Sequence, residues 1–84
     1  MSSQPIREAA AHLARGDWQG AHAIVQAHEA LPHAAWAHGI VHLLEGDLDN
    51  ARYWYARAGR PFSASADAEL AALRAALGEP GAAR

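Results

Sequence analysis

The sequence repeats itself with a period of thirty residues. The segment HLARGD at residues 12–17 returns as HLLEGD at residues 42–47. The same register aligns further pairs on both sides: Ile6 with Trp36, Ala10 with Ile40, Ala21 with Ala51, and Val25 with Tyr55. A period of roughly 20–50 residues is typical of stacked supersecondary units. The repeat therefore predicts a helical repeat protein, a class that usually binds other molecules and does not catalyse reactions.

Length, charge and cysteine content narrow the class of protein. A chain of 84 residues is expected to form a single domain, residues 1–84. A net charge of −2 argues against nucleic acid or an anionic membrane as a partner. The absence of cysteine excludes disulfides and thiolate metal sites and suits a reducing cytoplasm. No apolar run approaches the roughly 20 residues that span a bilayer, and the first residues do not resemble a signal peptide. We expect a cytoplasmic protein.

Apolar spacing and helix-stop signals predict an all-α fold of two antiparallel helical hairpins plus a closing C-terminal helix. The five helices are expected over residues 5–15, 18–30, 34–45, 48–58 and 65–77. Gly16 and Gly46 end the first and third helices, and Asp17 and Asp47 can cap the helices that follow. Residues 79–84 are expected to form a frayed tail.

The helical spacing also predicts which side of each central helix is buried. The apolar face predicted for the third helix consists of Trp36, Gly39, Ile40, Leu43 and Leu44. The corresponding stripe predicted for the fourth helix consists of Leu48, Ala51, Tyr55 and Ala58.

Residues 32–61, PHAAWAHGIVHLLEGDLDNARYWYARAGRP, resemble a tetratricopeptide repeat. The matching features are the small Gly39, the Gly46-Asp47 turn, the small–aromatic–small series on the second helix, and the terminal Pro61. Residues 5–31 match the pattern less closely. The resemblance implies an α-solenoid of helical hairpins that binds a protein or peptide.

The chain departs from the tetratricopeptide pattern in three ways. Its period is thirty residues, against the family's roughly 34. His38 and His42 occupy positions where the family packs a large apolar residue and an aromatic residue. Two repeats are also fewer than the three or so usually needed, so a homodimer or a docked last helix could complete the core.

His38, His42 and Glu45 share one face of the predicted third helix, opposite Trp36 and Ile40. Two imidazoles one turn apart and a carboxylate can hold Zn²⁺ or another divalent transition metal. His12 has the same phase in the first repeat and could approach from the neighbouring helix. Alternatively, these residues form a solvated polar face, or the histidines pack between helices with their hydrogen bonds satisfied.

A second group of candidates is aromatic and basic. Tyr53 and Arg57 lie opposite the apolar stripe of the fourth helix, with Trp54 at its boundary. Tyr, Trp and Arg are enriched at binding hot spots. The alternative is that Trp54 packs beneath the last helix while Tyr53 pairs with Arg57 on a solvated surface.

Trp36 aligns with Ile6, which predicts a core residue, although the tetratricopeptide resemblance would also allow the floor of a peptide groove.

The sequence thus favours a small protein–protein interaction module without catalytic activity or cofactor. No nucleophile in a strand–turn–helix elbow, phosphate-binding glycine loop or defined acid–base set is recognisable. The expected binding residues are Trp36, His38, His42, Tyr53, Trp54 and Arg57. The alternative is a small metal-binding protein that uses His38, His42 and Glu45, with His12 as a further candidate.

Overall fold

The computed structural model describes residues 3–78 and shows five helices. They are α1 Gln4–Ala14, α2 Trp18–Ala27, α3 Ala34–Glu45, α4 Leu48–Ala58 and α5 Ala66–Ala76. No strand occurs within residues 3–78, so the predicted all-α fold is confirmed. The bounds of α3 and α4 are as predicted, whereas the expected frayed tail at 79–84 lies outside the described residues. None of these five helices is long and apolar enough to cross a membrane.

The two glycine–aspartate turns have the same local structure, which explains why this segment recurs. Gly16 and Gly46 adopt positive φ angles of 76° and 90°, a conformation that glycine tolerates without strain. In each turn the N–H of the following aspartate donates to the carbonyl oxygen of the repeat histidine at 2.9 Å. The aspartate carboxylate then accepts the N–H of the residue three positions on and caps the next helix.

Helix α2 ends at Ala27, three residues earlier than predicted. Pro32 has no N–H, so it cannot donate to the carbonyl oxygen of His28 as the i→i−4 pattern requires. That oxygen instead accepts the N–H of Leu31 at 3.0 Å in a tighter turn. His33 then adopts a left-handed conformation, with φ of 68°, just before α3. The i→i−4 pattern is already broken at His28, whose N–H donates to the carbonyl oxygen of Val25 at 3.2 Å, so the proline accounts for the turn before it and not for the end of α2 at Ala27.

Helix α3 lies at the centre of the fold. It contacts each of the other four helices, while α1 pairs with α2, and α4 packs closely against α3 and reaches α5 through the hydroxyl of Tyr55. Eight residues of α3 are buried: Ala34, Trp36, Ala37, His38, Gly39, Ile40, Val41 and His42. Every helix contributes to one core, which includes Ile6, Val25, Ile40, Tyr55 and Leu73. Because α3 is covered on nearly all sides, its histidine face is enclosed as well as its apolar face.

The predicted apolar faces are wrong at Leu44 and Leu48. Their exposed fractions are 36% and 44%, so neither belongs to the core. Leu44 precedes and Leu48 follows the α3–α4 turn. The close backbone contacts of α4 are with α3 alone, so these two leucines at the α3–α4 turn remain exposed although helical spacing predicts that they are buried.

Helix α5 closes the fold by packing against α1 and α3, the first helices of the two hairpins. The guanidinium of Arg7 donates from Nη2 and Nε to the carbonyl oxygen of Leu77, at 2.6 and 3.1 Å. Such a contact satisfies a carbonyl at the negative end of the helix dipole. Ser65 caps the other end, so α5 begins one residue later than predicted.

A candidate metal centre of three histidines

Helix α3 presents His38 and His42 one turn apart, and both are buried, with exposed fractions of 3% and 7%. They therefore do not lie on a solvated face but pack between helices. His22 of α2 joins them, and its Nε2 lies 3.0 Å from Nε2 of His38. One ring nitrogen from each of the three histidines can be chosen so that all lie within 4.8 Å of one another. The structure thus brings together three imidazoles from both hairpins.

The rings are held by contacts on several sides. The indole of Trp54 stacks on His38, with ring centroids 3.8 Å apart and planes only 10° from parallel. His38 and His42 are stacked at 5.1 Å, while His22 meets both edge-on at 4.8 and 5.3 Å. These contacts keep the three rings together, but the stacked rings of His38 and His42 must rotate before their nitrogens can point at one ion.

The carboxylate of Glu45 is hydrogen-bonded to His42. Its Oε1 lies 2.7 Å from Nδ1 of His42. A carboxylate on one nitrogen favours a proton there and leaves Nε2 with its lone pair available as a ligand. Glu45 was predicted as a metal ligand, but it is not part of the three-histidine group. Relative to that group it orients His42, and its role as a metal ligand stays a prediction.

The electrostatic environment keeps His38 neutral. Burial, followed by the neighbouring His22 and His42, lowers the pKa of His38 to about 4. A neutral imidazole has a lone pair on one nitrogen, which is the form that binds a metal ion.

A second, outer group contains His42, Glu45 and Asp47. It is the weaker candidate because Asp47 is already engaged as the cap of α4. Its carboxylate accepts the side-chain amide of Asn50 at 2.7 Å and the Asn50 N–H at 3.3 Å. These two hydrogen bonds lower the pKa of Asp47. The three-histidine group has one hydrogen bond of its own, between Nε2 of His22 and Nε2 of His38, which a bound ion would replace.

His12 does not join the cluster, although it occupies the same repeat position as His42. Its Nδ1 lies 2.8 Å from Oδ2 of Asp17 and 3.0 Å from Nη2 of Arg15. In the described part of the chain, His12 belongs to neither group of possible metal ligands. The first repeat thus supplies its histidine from α2 instead.

His22 had no role assigned from the sequence. The available signal was its spacing, since Trp18, His22 and Val25 follow one another at i, i+4 and i+7 along α2. This spacing is also typical of residues on the helix face that packs against a neighbouring helix, so it does not by itself indicate a ligand. The thirty-residue repeat does not single out His22, because its repeat partner is Arg52 and not a histidine.

The predicted aromatic and basic residues divide between surface and interior. Tyr53 is 53% exposed, and Nη1 of Arg57 donates to its hydroxyl at 3.4 Å. The guanidinium of Arg57 also lies 5.3 Å from the ring centre of Trp54, whose indole stacks on His38. Trp54 is half-buried and therefore links the exposed Tyr53–Arg57 pair to the histidines.

Trp36 is part of the core, as its alignment with Ile6 predicts. It is 4% exposed, and its indole N–H donates to Oε1 of Glu69 on α5 at 3.1 Å. The same oxygen accepts the hydroxyl of Tyr55 at 2.8 Å, while the guanidinium of Arg60 stacks 3.5 Å above the indole ring. With α5 docked, Trp36 is covered and does not form the floor of an open groove.

Comparison with known proteins gives no match to a family model, to a curated protein or to a solved structure.

Proposed function

We propose that this protein binds a divalent transition-metal ion through His22, His38 and His42. The observation that carries the proposal is that three imidazoles from two helices converge, with ligand nitrogens within 4.8 Å of one another. Zn²⁺ holds imidazole nitrogens at 2.0–2.1 Å, which places them about 3.3 Å apart in a tetrahedral site. Small side-chain rotations would bring the three nitrogens to that spacing.

The surroundings of the cluster favour metal binding over mere packing. Glu45 fixes the tautomer of His42 from outside, as carboxylates commonly do at histidine metal sites. His38 is neutral and held by Trp54. An all-nitrogen donor set suits Zn²⁺, Ni²⁺, Co²⁺ or Cu²⁺ and does not suit Mg²⁺ or Ca²⁺, which prefer oxygen.

Metal titration of the protein without a purification tag tests this proposal. Isothermal titration calorimetry with Zn²⁺ should give one ion per chain, and both His22→Ala and His38→Ala should abolish that binding. His28→Ala is the matched control, because His28 is an exposed histidine at the end of α2. If wild type binds no ion, or if His28→Ala weakens binding as strongly as His22→Ala, the three-histidine site is wrong.

A second candidate function is protein binding through the Tyr53–Arg57 surface, in keeping with the tetratricopeptide resemblance. The observation that favours it is an aromatic side chain that is 53% exposed and flanked by a guanidinium. Tyrosine and arginine are enriched where partners dock. In this proposal the partner is an extended peptide or helix that covers α4 on the side away from α3.

A comparative pull-down from the native host tests this second candidate. The Tyr53→Ala/Arg57→Ala variant should lose a partner that wild type retains. Gln26→Ala, at an exposed position on α2, serves as the control. An identical set of captured proteins for all three forms would exclude the Tyr53–Arg57 surface.

A further inference from the structure

The three-histidine group has three donors, one fewer than a four-coordinate metal needs. Within residues 3–78, no fourth histidine or carboxylate lies close enough to all three to complete the set. Glu45 is hydrogen-bonded to the outer nitrogen of His42, and His12 is engaged by Asp17. The indole of Trp54 covers His38 but offers only an N–H donor, which cannot coordinate a cation.

Charge balance indicates what would fill the fourth position. A divalent ion bound to three neutral imidazoles leaves two positive charges beside the buried His38 and His42. An uncompensated charge in such a setting is costly. The carboxylate of Glu45, hydrogen-bonded to the outer nitrogen of His42, offsets one unit of this charge, whereas the guanidinium of Arg57, 5.3 Å from the ring centre of Trp54, adds a positive charge nearby. A small anion on the metal would reduce the remaining imbalance.

We infer that the loaded site keeps an exchangeable fourth position that takes a small monodentate anion, such as hydroxide or azide. This inference rests on the proposed metal site and goes beyond it. Metal sites with three protein ligands typically hold water or an added ligand in the open position, whereas structural sites have four protein ligands. The three histidines would then hold the metal, and the anion would be exchanged with solvent.

Co²⁺ and azide provide a direct test on the full chain. Four-coordinate Co²⁺ absorbs visible light strongly, and its bands shift when one ligand is replaced. We expect azide to shift these bands saturably at one azide per cobalt, with cobalt retained on dialysis and the chain monomeric by size-exclusion chromatography. Perchlorate at equal ionic strength should leave the bands unchanged, and His28→Ala should behave as wild type.

Three results would overturn the open position while leaving the metal site intact. The first is an absorption spectrum that does not change at saturating azide, and the second is removal of cobalt from the protein by azide. The third is a dimer that forms when the metal binds, because a second copy of the chain then supplies the fourth ligand. If wild type takes up no Co²⁺, the metal site and the inference fail together. Metal uptake and azide response are measured separately, so the two failures are distinguishable.

Discussion

At the scale of single residues, Gly39 of α3 is a position where the side chain of Tyr55 on α4 packs directly against the backbone. A Cβ atom there would lie 2.5 Å from Cδ1 and 2.6 Å from Cε1 of Tyr55. Tyr55 cannot easily give way, since it is 1% exposed and its hydroxyl is bonded to Glu69. Burial, and next that hydrogen bond, also raise the pKa of Tyr55, so its phenol remains protonated over the physiological range.

We therefore predict that Gly39→Ala destabilises the protein by about 1–3 kcal/mol, as overpacking of a core commonly does. The loss would occur despite a gain in helix propensity of about 1 kcal/mol. Urea unfolding measures the change, and the same substitution in a Tyr55→Ala background is the control. In the Tyr55→Ala background, Gly39→Ala should be neutral or stabilising. An equal loss of stability in both backgrounds would contradict the proposed clash between the new methyl group and the tyrosine ring.

The low pKa of His38 predicts how the stability of the metal-free protein depends on pH. Its pKa is about 4 in the folded protein and about 6.5 in the unfolded chain, so the unfolded chain binds its proton first as pH falls. The contribution that His38 makes to the free energy of unfolding through this pKa difference is complete above about pH 6.5 and is lost progressively towards pH 4. Between pH 7.5 and pH 5 we expect the free energy of unfolding to fall by about 1–2 kcal/mol from this group.

Urea unfolding in the presence of a chelator measures this fall in stability. His38→Gln removes the titrating group, so its stability should decline less steeply over the same range, whatever its value at pH 7.5. His28→Gln should decline as wild type does, because His28 is exposed at the end of α2. Parallel curves for wild type and His38→Gln would show that His38 does not titrate in this way.

At the scale of helices, the sequence predicts features that depend on nearby residues, such as turns and helix caps. It does not predict features that depend on which other helix packs against a given face. The repeated glycine–aspartate turns are local, because a left-handed glycine and a capping carboxylate act within six residues. The core position of Trp36 follows from alignment with Ile6, and both are buried. The early end of α2 was not predicted, and the α-helical hydrogen-bond pattern already breaks at His28, whose N–H donates to the carbonyl oxygen of Val25.

The histidine cluster could be predicted only in part. The spacing of His38 and His42 places them on one face, but spacing alone does not say whether another helix covers that face. The structure covers it with α2 and α4, which bring His22 and Trp54. Since neither residue is related to His38 by the thirty-residue period, the repeat gives no indication of either contact.

Helix α5 is attached to the rest of the fold by a polar cluster around Glu69. Its Oε1 accepts hydrogen bonds from Trp36 and Tyr55, which lie on different helices. Removing this acceptor leaves two largely buried donors without a partner, at about 1–3 kcal/mol for each, so the loss is about 2–6 kcal/mol. We predict that Glu69→Ala lowers stability by that amount and that amide hydrogen exchange accelerates first in α5.

Asp67 provides the matched control for this prediction. It is an exposed acidic residue in the same first turn of α5, and it shares the favourable interaction with the helix dipole. Asp67→Ala should therefore cost only about 0.3–1 kcal/mol. If the two substitutions have equal effects on α5 exchange, the dipole and not the buried acceptor accounts for the role of Glu69.

At the scale of the whole molecule, the candidate metal site joins the two hairpins. His22 lies in the first hairpin, and His38 and His42 lie in the second, so a bound ion would cross-link α2 to α3. An ion that binds the folded chain at 100 times its dissociation constant adds about 2.7 kcal/mol of stability. For a domain of this size, that corresponds to a rise in melting temperature on the order of 10 °C.

We predict this rise for wild type on addition of Zn²⁺ and its reversal by a chelator. Hydrogen exchange should slow in α2 and α3 together, because the ion constrains both helices. His22→Ala leaves the two α3 histidines in place but removes the link, so both the thermal shift and the protection of α2 should be lost. His28→Ala should retain them. Protection confined to α3, or an undiminished shift in His22→Ala, would mean that the ion binds one helix and does not connect the hairpins.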